Sequence, residues 1–211
     1  MIKKILTLAA AAVFSAGAAY AYHHGGDDHS EAMAKVGDPA PQFTAVDSNG
    51  TTHTLADFAG STVVLEWTNH ECPFVVKHYT NGDMQANQKA ATDEGVVWLR
   101  VVSSAPGKQG HVTGEEANTI AENQGVNATA TLLDPAGAIG KLYGAKTTPH
   151  MYVIDADQTL VYAGAIDDNS SANPADVPTA NNFVMAALAN IAAGEPVATA
   201  ETQPYGCSVK Y

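Results

Sequence analysis

Continuous apolar runs recur along the middle of the chain, and each is followed by a stretch with helical spacing. The runs at 61–67, 95–104 and 130–133 are apolar at consecutive positions, which is typical of strands covered on both faces of a sheet. After the first run, apolar side chains recur at helical spacing from Pro73, and a break is predicted at Asn81-Gly82. The pattern predicts three successive β-α units.

Two hairpins are predicted on either side of these units. Asn49-Gly50 separates two short strand-like runs and favours a two-residue turn. Residues 150–166 contain two further strand-like runs, and a last helix is predicted from about Ala180 to Ala193. This order predicts an α/β fold with a mixed central sheet, helices on both faces and an N-terminal hairpin extension.

Capping residues predict the ends of two helices. Thr113 and Glu116 have the spacing of a capping box, and Gly125 is expected to close that helix. Asp134 is predicted to cap a short helix over residues 135–143, because a proline at the first helical position follows it.

The first 21 residues have the pattern of a secretory signal peptide, with two lysines, a short Ala-rich apolar stretch and a small-residue triplet. Cleavage after Ala21 predicts a periplasmic or secreted protein with no membrane anchor in its mature form. Residues 22–35 are rich in His, Asp and Gly and predict a flexible leader. The folded domain is then expected at 36–194, followed by an extended tail at 195–211.

The charge of the chain argues against two classes of partner. The formal net charge is −12, and removal of Lys3 and Lys4 with the signal peptide leaves 8 basic and 22 acidic residues, a net charge of −14. A field of this sign repels phosphate backbones and anionic lipid, so no nucleic acid or membrane-surface partner is expected. No cofactor is predicted either, because the sequence has neither a phosphate-binding loop nor a dinucleotide fingerprint.

Candidate chemistry centres on Cys72, one of two cysteines in the chain. Cys72 immediately precedes Pro73, at the predicted start of a helix, where unpaired amides and the helix dipole favour a thiolate and lower its pKa. His70 adds a proton acceptor or, when protonated, a stabilising charge, whereas Glu71 acts in the opposite sense. The alternative is an inert thiol in a structural disulfide, which an exported protein can keep.

Several motifs in order resemble the redoxin, or peroxiredoxin-like (AhpC/TSA-like), branch of the thioredoxin superfamily. They are VGDPAPQF, TLADFAG, VVLEWTNHEC and TTPHMYVIDADQTLVYAGAID, and the resemblance covers about residues 36–193. It implies a thioredoxin-like three-layer sandwich. It also implies that Thr148-Pro149 is the cis-proline loop, which faces the active-site thiol and orients the incoming sulfur.

The resemblance also shows which positions depart from the family patterns. Cys72 corresponds to the first cysteine of the thioredoxin Cys-x-x-Cys motif, and Val75 stands in place of the second. Peroxiredoxins carry a Pro-x-x-x-Thr-x-x-Cys pattern, which Leu65 and Asn69 interrupt here. The resemblance therefore favours thiol-disulfide exchange with protein or small-molecule thiols and disulfides over peroxide reduction. It requires an electron donor that the sequence does not identify.

Cys207 is the predicted partner of Cys72. The tail after Gly194 is long enough to cross a domain of this size, and Gly206 permits an unusual backbone conformation next to the thiol. Two roles follow: Cys207 either resolves the adduct formed on Cys72, or forms a permanent bridge that pins the tail.

A metal-binding module is the alternative function class. If His150 follows the cis-proline, then His70, Cys72 and His150 form a Cys-His-His set suited to copper or zinc. Cleavage after Ala21 also leaves His24 as the third residue of the mature chain, a position that suits Cu(II).

Overall fold

The structure, a computed structural model, describes residues 33–211 of the 211-residue chain. The predicted signal peptide, most of the predicted leader and His24 lie outside the described residues. Across 33–211, none of the helices has the length and apolar character needed to span a membrane.

The described residues form strands, α-helices and two short 3-10 helices. The strands are β1 Thr44–Asp47, β2 Thr52–Thr54, β3 Val63–Trp67, β4 Val97–Val102, β5 Ala130–Leu133, β6 Thr147–Thr148, β7 His150–Ile154, β8 Leu160–Gly164 and β9 Cys207–Ser208. The α-helices are α1 Pro73–Thr80, α2 Asp83–Asp93, α3 Gly114–Gln124, α4 Ala138–Tyr143 and α5 Phe183–Ala192. The 3-10 helices are Leu55–Phe58 and Pro174–Thr179. The predicted break between α1 and α2 is confirmed.

Seven of the strands form one mixed sheet in the order β2-β1-β5-β4-β3-β7-β8. β4 pairs in parallel with both β3 and β5, whereas β7 is antiparallel to β3 and β8. All five residues of the central strand β3 are buried, as its continuous apolar run predicts. The predicted α/β class is confirmed.

Side chains of β3 alternate between the two faces of the sheet. Leu65 and Trp67 join a hydrophobic cluster that also contains Ile139 from α4. Val64 joins the cluster on the opposite face, to which α1, α2 and α5 contribute, and this second cluster contains Cys72. The sulfur that the sequence singled out is therefore part of the hydrophobic core.

The two-residue turn predicted at Asn49-Gly50 is wrong. The loop has three residues, since the amide of Gly50 donates to Asp47 O at 3.0 Å and the amide of Asp47 donates to Thr51 O at 2.8 Å. The carboxylate of Asp47 also accepts the amides of Asn49 and Thr51. These hydrogen bonds stabilise the three-residue loop. In this loop Gly50 has a positive φ, and Asn49 does not.

The prediction that Asp134 caps a helix is also wrong. α4 begins only at Ala138, after a turn, with Gly137 at the capping position. The carboxylate of Asp134 instead accepts a hydrogen bond from the Ser103 hydroxyl at 2.6 Å and one from the Gly140 amide at 2.9 Å. The long-range bond to Ser103 holds the carboxylate in a position that a local cap does not allow.

The last helix begins later than predicted, and the tail after it is partly ordered by pairing. α5 begins at Phe183 because Asn182 caps it, accepting the Met185 amide at 3.0 Å. The tail was predicted to be extended without a regular element. Its strand β9 pairs antiparallel with β6 in a separate two-stranded sheet.

Candidate active site

Cys72 lies where β3 leads into α1. After a loop at 68–71, Cys72 caps α1 and Pro73 occupies the first turn, where a missing amide proton costs no helical hydrogen bond. The amide of Val76 donates to Cys72 O at 2.8 Å, which closes the first helical turn. The Cys72 side chain is fully buried, with an exposed fraction of 0%.

The Thr148-Pro149 loop faces this sulfur. The peptide bond between the two residues is cis, and Cys72 Sγ lies 3.0 Å from the Thr148 carbonyl oxygen, to which the protonated thiol donates. The Thr148 hydroxyl is buried and has no hydrogen-bond partner among the described residues. Thr148 therefore contacts the Cys72 sulfur through its carbonyl oxygen, which accepts from the protonated thiol.

The C-terminal tail brings Cys207 to the same loop. In the pairing of β9 with β6, Cys207 lies opposite Thr148. Gly206 has a φ of +124°, and a Cβ at this position would collide with the Thr148 carbonyl oxygen, so the close approach requires glycine. Cys207 packs against the hydrophobic cluster that contains Cys72, and both residues are free thiols.

The pKa values of the two thiols are shifted in opposite directions. Burial acts to raise the pKa of Cys72, but hydrogen bonds from the Cys207 thiol and from the amides of Cys207 and Val75 leave that pKa below its usual value. Burial, the hydrogen bond to Cys72 and the charge of Cys72 raise the pKa of Cys207 to about 11. Cys72 therefore has the lower pKa of the two thiols.

Asn69, His70 and Glu71, in the loop before Cys72, make their contacts away from the Cys72 sulfur. Asn69 Oδ1 accepts the Glu71 amide at 2.9 Å, and the Glu71 carboxylate accepts the Gly110 amide at 2.7 Å. His70 lines a surface cleft with His111 and makes no hydrogen bond to Cys72. The structure therefore brings Cys72, Cys207, Thr148 and Pro149 together, and places His70 outside this group.

The alternative metal site is not assembled. Across residues 33–211, no group of three or more His, Cys, Asp or Glu side chains is arranged to hold a metal ion. His150 Nδ1 is 3.2 Å from both the Lys146 amide and the Tyr152 hydroxyl, and its ring packs on the Tyr152 ring at a centroid distance of 4.5 Å. These contacts fix His150 in the core, so the set of His70, Cys72 and His150 does not form.

Arg100, the sole arginine of the chain, lies in the core beside α1. Its guanidinium carbon is 5.4 Å from the centroid of the Tyr79 ring, and Nη2 donates to Gln124 Oε1 at 3.4 Å. The neighbouring Glu66 carboxylate accepts hydrogen bonds from the Tyr79 hydroxyl and the Trp98 indole, both at 2.8 Å. Arg100 therefore packs against the Tyr79 ring, while its Nε and Nη1 have no hydrogen-bond partner among the described residues.

A polar cluster beside the cysteines was not predicted from the sequence. It consists of the buried Lys77, His78 and Asp167 and the half-buried Tyr205, and is called the tail cluster. Lys77 and His78 lie on the buried side of α1, Asp167 follows β8, and Tyr205 is in the tail. A lysine and a histidine on the apolar face of a short helix were the one feature of the sequence that pointed to buried partners.

Comparison with known proteins supports the fold and identifies the family. The family model described as Redoxin matches residues 35–183. No curated protein matches the chain. Among solved structures, an uncharacterized conserved protein from Geobacillus kaustophilus is 26% identical, with a TM-score of 0.72 over 85% of this chain and 93% of that chain.

Two further structures are similar in fold. A hypothetical protein from Sinorhizobium meliloti 1021 is 23% identical, with a TM-score of 0.71 over 85% of this chain and 96% of that chain. A putative protein disulfide isomerase from Bacteroides thetaiotaomicron is 19% identical, with a TM-score of 0.50 over 62% of this chain and 79% of that chain. The sandwich is therefore thioredoxin-like, as the sequence motifs imply. Because the family model spans most of the chain, the protein belongs to the redoxin family of the thioredoxin superfamily.

Proposed function

We propose that the protein is an exported thiol-disulfide oxidoreductase in which Cys72 is the nucleophile and Cys207 is the resolving thiol. The observation that carries this proposal is that β9 places Cys207 opposite Thr148, whose carbonyl oxygen lies 3.0 Å from Cys72 Sγ. Membership of the redoxin family supports the redox class. The signal-peptide pattern supports export to a compartment where disulfides persist.

Exchange begins when the Cys72 thiolate attacks one sulfur of a substrate disulfide, on a protein or a small molecule. A bond forms between Cys72 Sγ and that sulfur, and the second substrate sulfur leaves as a thiolate. Cys207 then loses its proton to the leaving thiolate or to water and attacks Cys72 Sγ. This step forms the Cys72–Cys207 disulfide and releases the first substrate sulfur. The substrate gains two electrons, which an external donor must return to the protein.

The opposite pKa shifts fit the order of these steps. The pKa of Cys207 is raised partly by the charge of the Cys72 thiolate and by the hydrogen bond to it. Both causes disappear once Cys72 is bonded to a substrate sulfur, so the pKa of Cys207 falls when its thiolate is needed. Before that point, the Cys207 proton stabilises the nucleophile.

Oxidation of the reduced protein with glutathione disulfide tests the proposal. After acid quenching, alkylation and peptide mapping, the wild type should show a Cys72–Cys207 bridge that a mild reductant opens. Cys207→Ser should instead accumulate glutathione on Cys72, and Cys72→Ser should form neither product. A wild-type bridge that resists mild reductant would identify a structural disulfide and contradict the proposal. Equal rates of reaction with glutathione disulfide in wild type and Cys72→Ser would also contradict it.

A further inference from the structure

The tail cluster joins the element that carries one cysteine to the element that carries the other. Lys77 and His78 belong to α1, whose capping residue is Cys72, and Tyr205 is two residues before Cys207. None of these side chains takes part in the exchange steps described above. The burial of Lys77, His78 and Asp167 therefore needs a separate explanation.

Tyr205 is held by contacts on several sides. Its hydroxyl donates to Asp167 Oδ1 and lies 3.4 Å from His78 Nε2. Lys77 Nζ is 4.8 Å from the centroid of its ring, and the Phe74 ring packs edge-on with the centroids 6.0 Å apart. Three of the residues around Tyr205 come from α1, so the tail is fastened to the helix that begins at the nucleophile.

The Tyr205 hydroxyl is an important hydrogen-bond donor to Asp167. The Asp167 side chain is 3% exposed, and its second oxygen, Oδ2, has no hydrogen-bond partner in the described part of the chain. Lys77 Nζ lies 3.8 Å from Oδ2, while its hydrogen bond goes to Asn169 O at 2.7 Å. Removing the phenol hydroxyl would leave a buried carboxylate short of a donor, which is costly.

The connection from Tyr205 to Cys207 is short and passes through Gly206. On the far side of Cys207, the tail is held by the pairing of β9 with β6, by the bond from the Ala105 amide to Lys210 O at 2.8 Å and by the bond from the Tyr211 hydroxyl to Ala145 O at 2.8 Å. On the near side, the Thr202 hydroxyl accepts the Ala165 amide at 2.8 Å. Tyr205 is the side chain closest to Cys207 that fastens the tail to α1, the helix that begins at Cys72.

We propose that Tyr205 is a positioning residue for exchange: its hydrogen bond to Asp167 holds Cys207 in register with Cys72. This inference rests on the proposed function, in which Cys207 resolves the adduct on Cys72. Loss of the bond loosens the tail next to Cys207, lowers the effective concentration of Cys207 at Cys72, and weakens the effect of Cys207 on the pKa of Cys72.

Tyr205→Phe is the direct test, because it keeps the ring contacts to Phe74 and Lys77 and removes only the hydroxyl. We expect the effective concentration of Cys207, measured from the equilibrium of the bridge with glutathione, to fall about tenfold, since a hydrogen bond to a charged group is lost. The pH profile of Cys72 alkylation by iodoacetamide should shift upward in the same variant. A merely structural role would move neither quantity.

Tyr143→Phe is the matched control, because it also removes a buried tyrosine hydrogen bond, from the Tyr143 hydroxyl to Pro41 O at 2.7 Å, away from the tail. It should lower the unfolding temperature without changing the glutathione equilibrium or the alkylation profile. Asp167→Asn, alone and combined with Tyr205→Phe, completes a cycle in which the two effects should not add. If Tyr205→Phe does not fold, Asp167→Asn gives the same two readouts: it leaves no carboxylate without a donor, and Lys77, which loses the carboxylate 3.8 Å away, keeps its hydrogen bond to Asn169 O.

Two results would overturn this inference, and they are distinguishable. If Tyr205→Phe matches Tyr143→Phe in both readouts while the wild type forms its bridge, the positioning role is wrong and the exchange mechanism stands. If the wild type forms no Cys72–Cys207 bridge with glutathione disulfide, the proposed function is wrong and the positioning role is wrong with it.

Discussion

Acid should destabilise the protein through His78, whose imidazole is buried in the tail cluster. Its exposed fraction is 2%, and burial, together with the charge of Lys77, lowers its pKa to about 3. Asp167 Oδ2 is 3.8 Å from His78 Nε2 and also 3.8 Å from Lys77 Nζ, so the positive charge of Lys77 opposes the attraction that the carboxylate exerts on a protonated imidazole. The folded protein keeps this imidazole neutral at pH values where the unfolded chain protonates it.

The sign and size follow from the two pKa values. Because the folded-state pKa is the lower one, the contribution to stability is complete above an unfolded pKa of about 6.5 and is lost as the pH falls toward the folded value. A pH of about 5 lies roughly 1.5 units below the unfolded-state pKa. At about 1.4 kcal/mol per unit, protonation of His78 in the unfolded chain lowers the free energy of unfolding by about 2 kcal/mol. His150, whose pKa burial lowers to about 4, adds a similar amount.

Urea unfolding near neutral pH and at about pH 5 measures this loss. His78→Gln should lose about 2 kcal/mol less than the wild type between the two pH values, whatever its stability at neutral pH. Val184→Ala is the control, because it removes buried apolar contacts from the hydrophobic cluster that contains Cys72 and involves no titrating group. It should lower the free energy of unfolding equally at both pH values. Equal pH dependence in wild type and His78→Gln would refute the argument that burial keeps His78 neutral.

Two further predictions concern the thiol site. The rate of Cys72 alkylation should reach half its maximum below the value near pH 8.5 that is typical of a free thiol, because hydrogen bonds lower its pKa, and Cys207→Ala should shift that midpoint upward. A profile that is unchanged by Cys207→Ala would show that the tail does not stabilise the thiolate. Gly206→Ala should displace the tail, because its Cβ would collide with the Thr148 carbonyl; Cys72 should then be alkylated faster and the free energy of unfolding should fall by about 1–3 kcal/mol. Urea unfolding and alkylation rates test this, and wild-type values in both would contradict it.

Local patterns were sufficient for the elements that depend on neighbouring residues. The buried strand β3 follows from its apolar run, and α3 follows from Thr113 and Glu116, whose reciprocal hydrogen bonds form the predicted capping box. The placement of Cys72 at the start of α1 also needed only its position before Pro73. In each case the groups that decide the conformation lie within a few residues of one another.

The predictions that failed or were missing depend on contacts between distant parts of the chain. Asp134 looked like a helix cap because nothing nearby in the sequence shows that Ser103 would bind its carboxylate. β9 has two residues and no period, so only its partner β6 defines it. Tyr205 meets Asp167 across 38 positions of sequence, and neither residue type predicts the other. The thiolate at Cys72 was expected from the helix N-terminus, whereas the donors contributed by the tail required the fold.

The pairing of β9 with β6 brings together parts of the chain that are synthesised at different times. Cys207 follows Cys72 by about 135 residues, so at a synthesis rate of about 5–20 residues per second Cys72 emerges about 7–27 seconds before Cys207. During that interval the first sulfur has no cysteine of its own chain to meet. Any disulfide it forms then is with another molecule, and the arrival of Cys207 is the first opportunity to exchange such an adduct for the proposed Cys72–Cys207 disulfide.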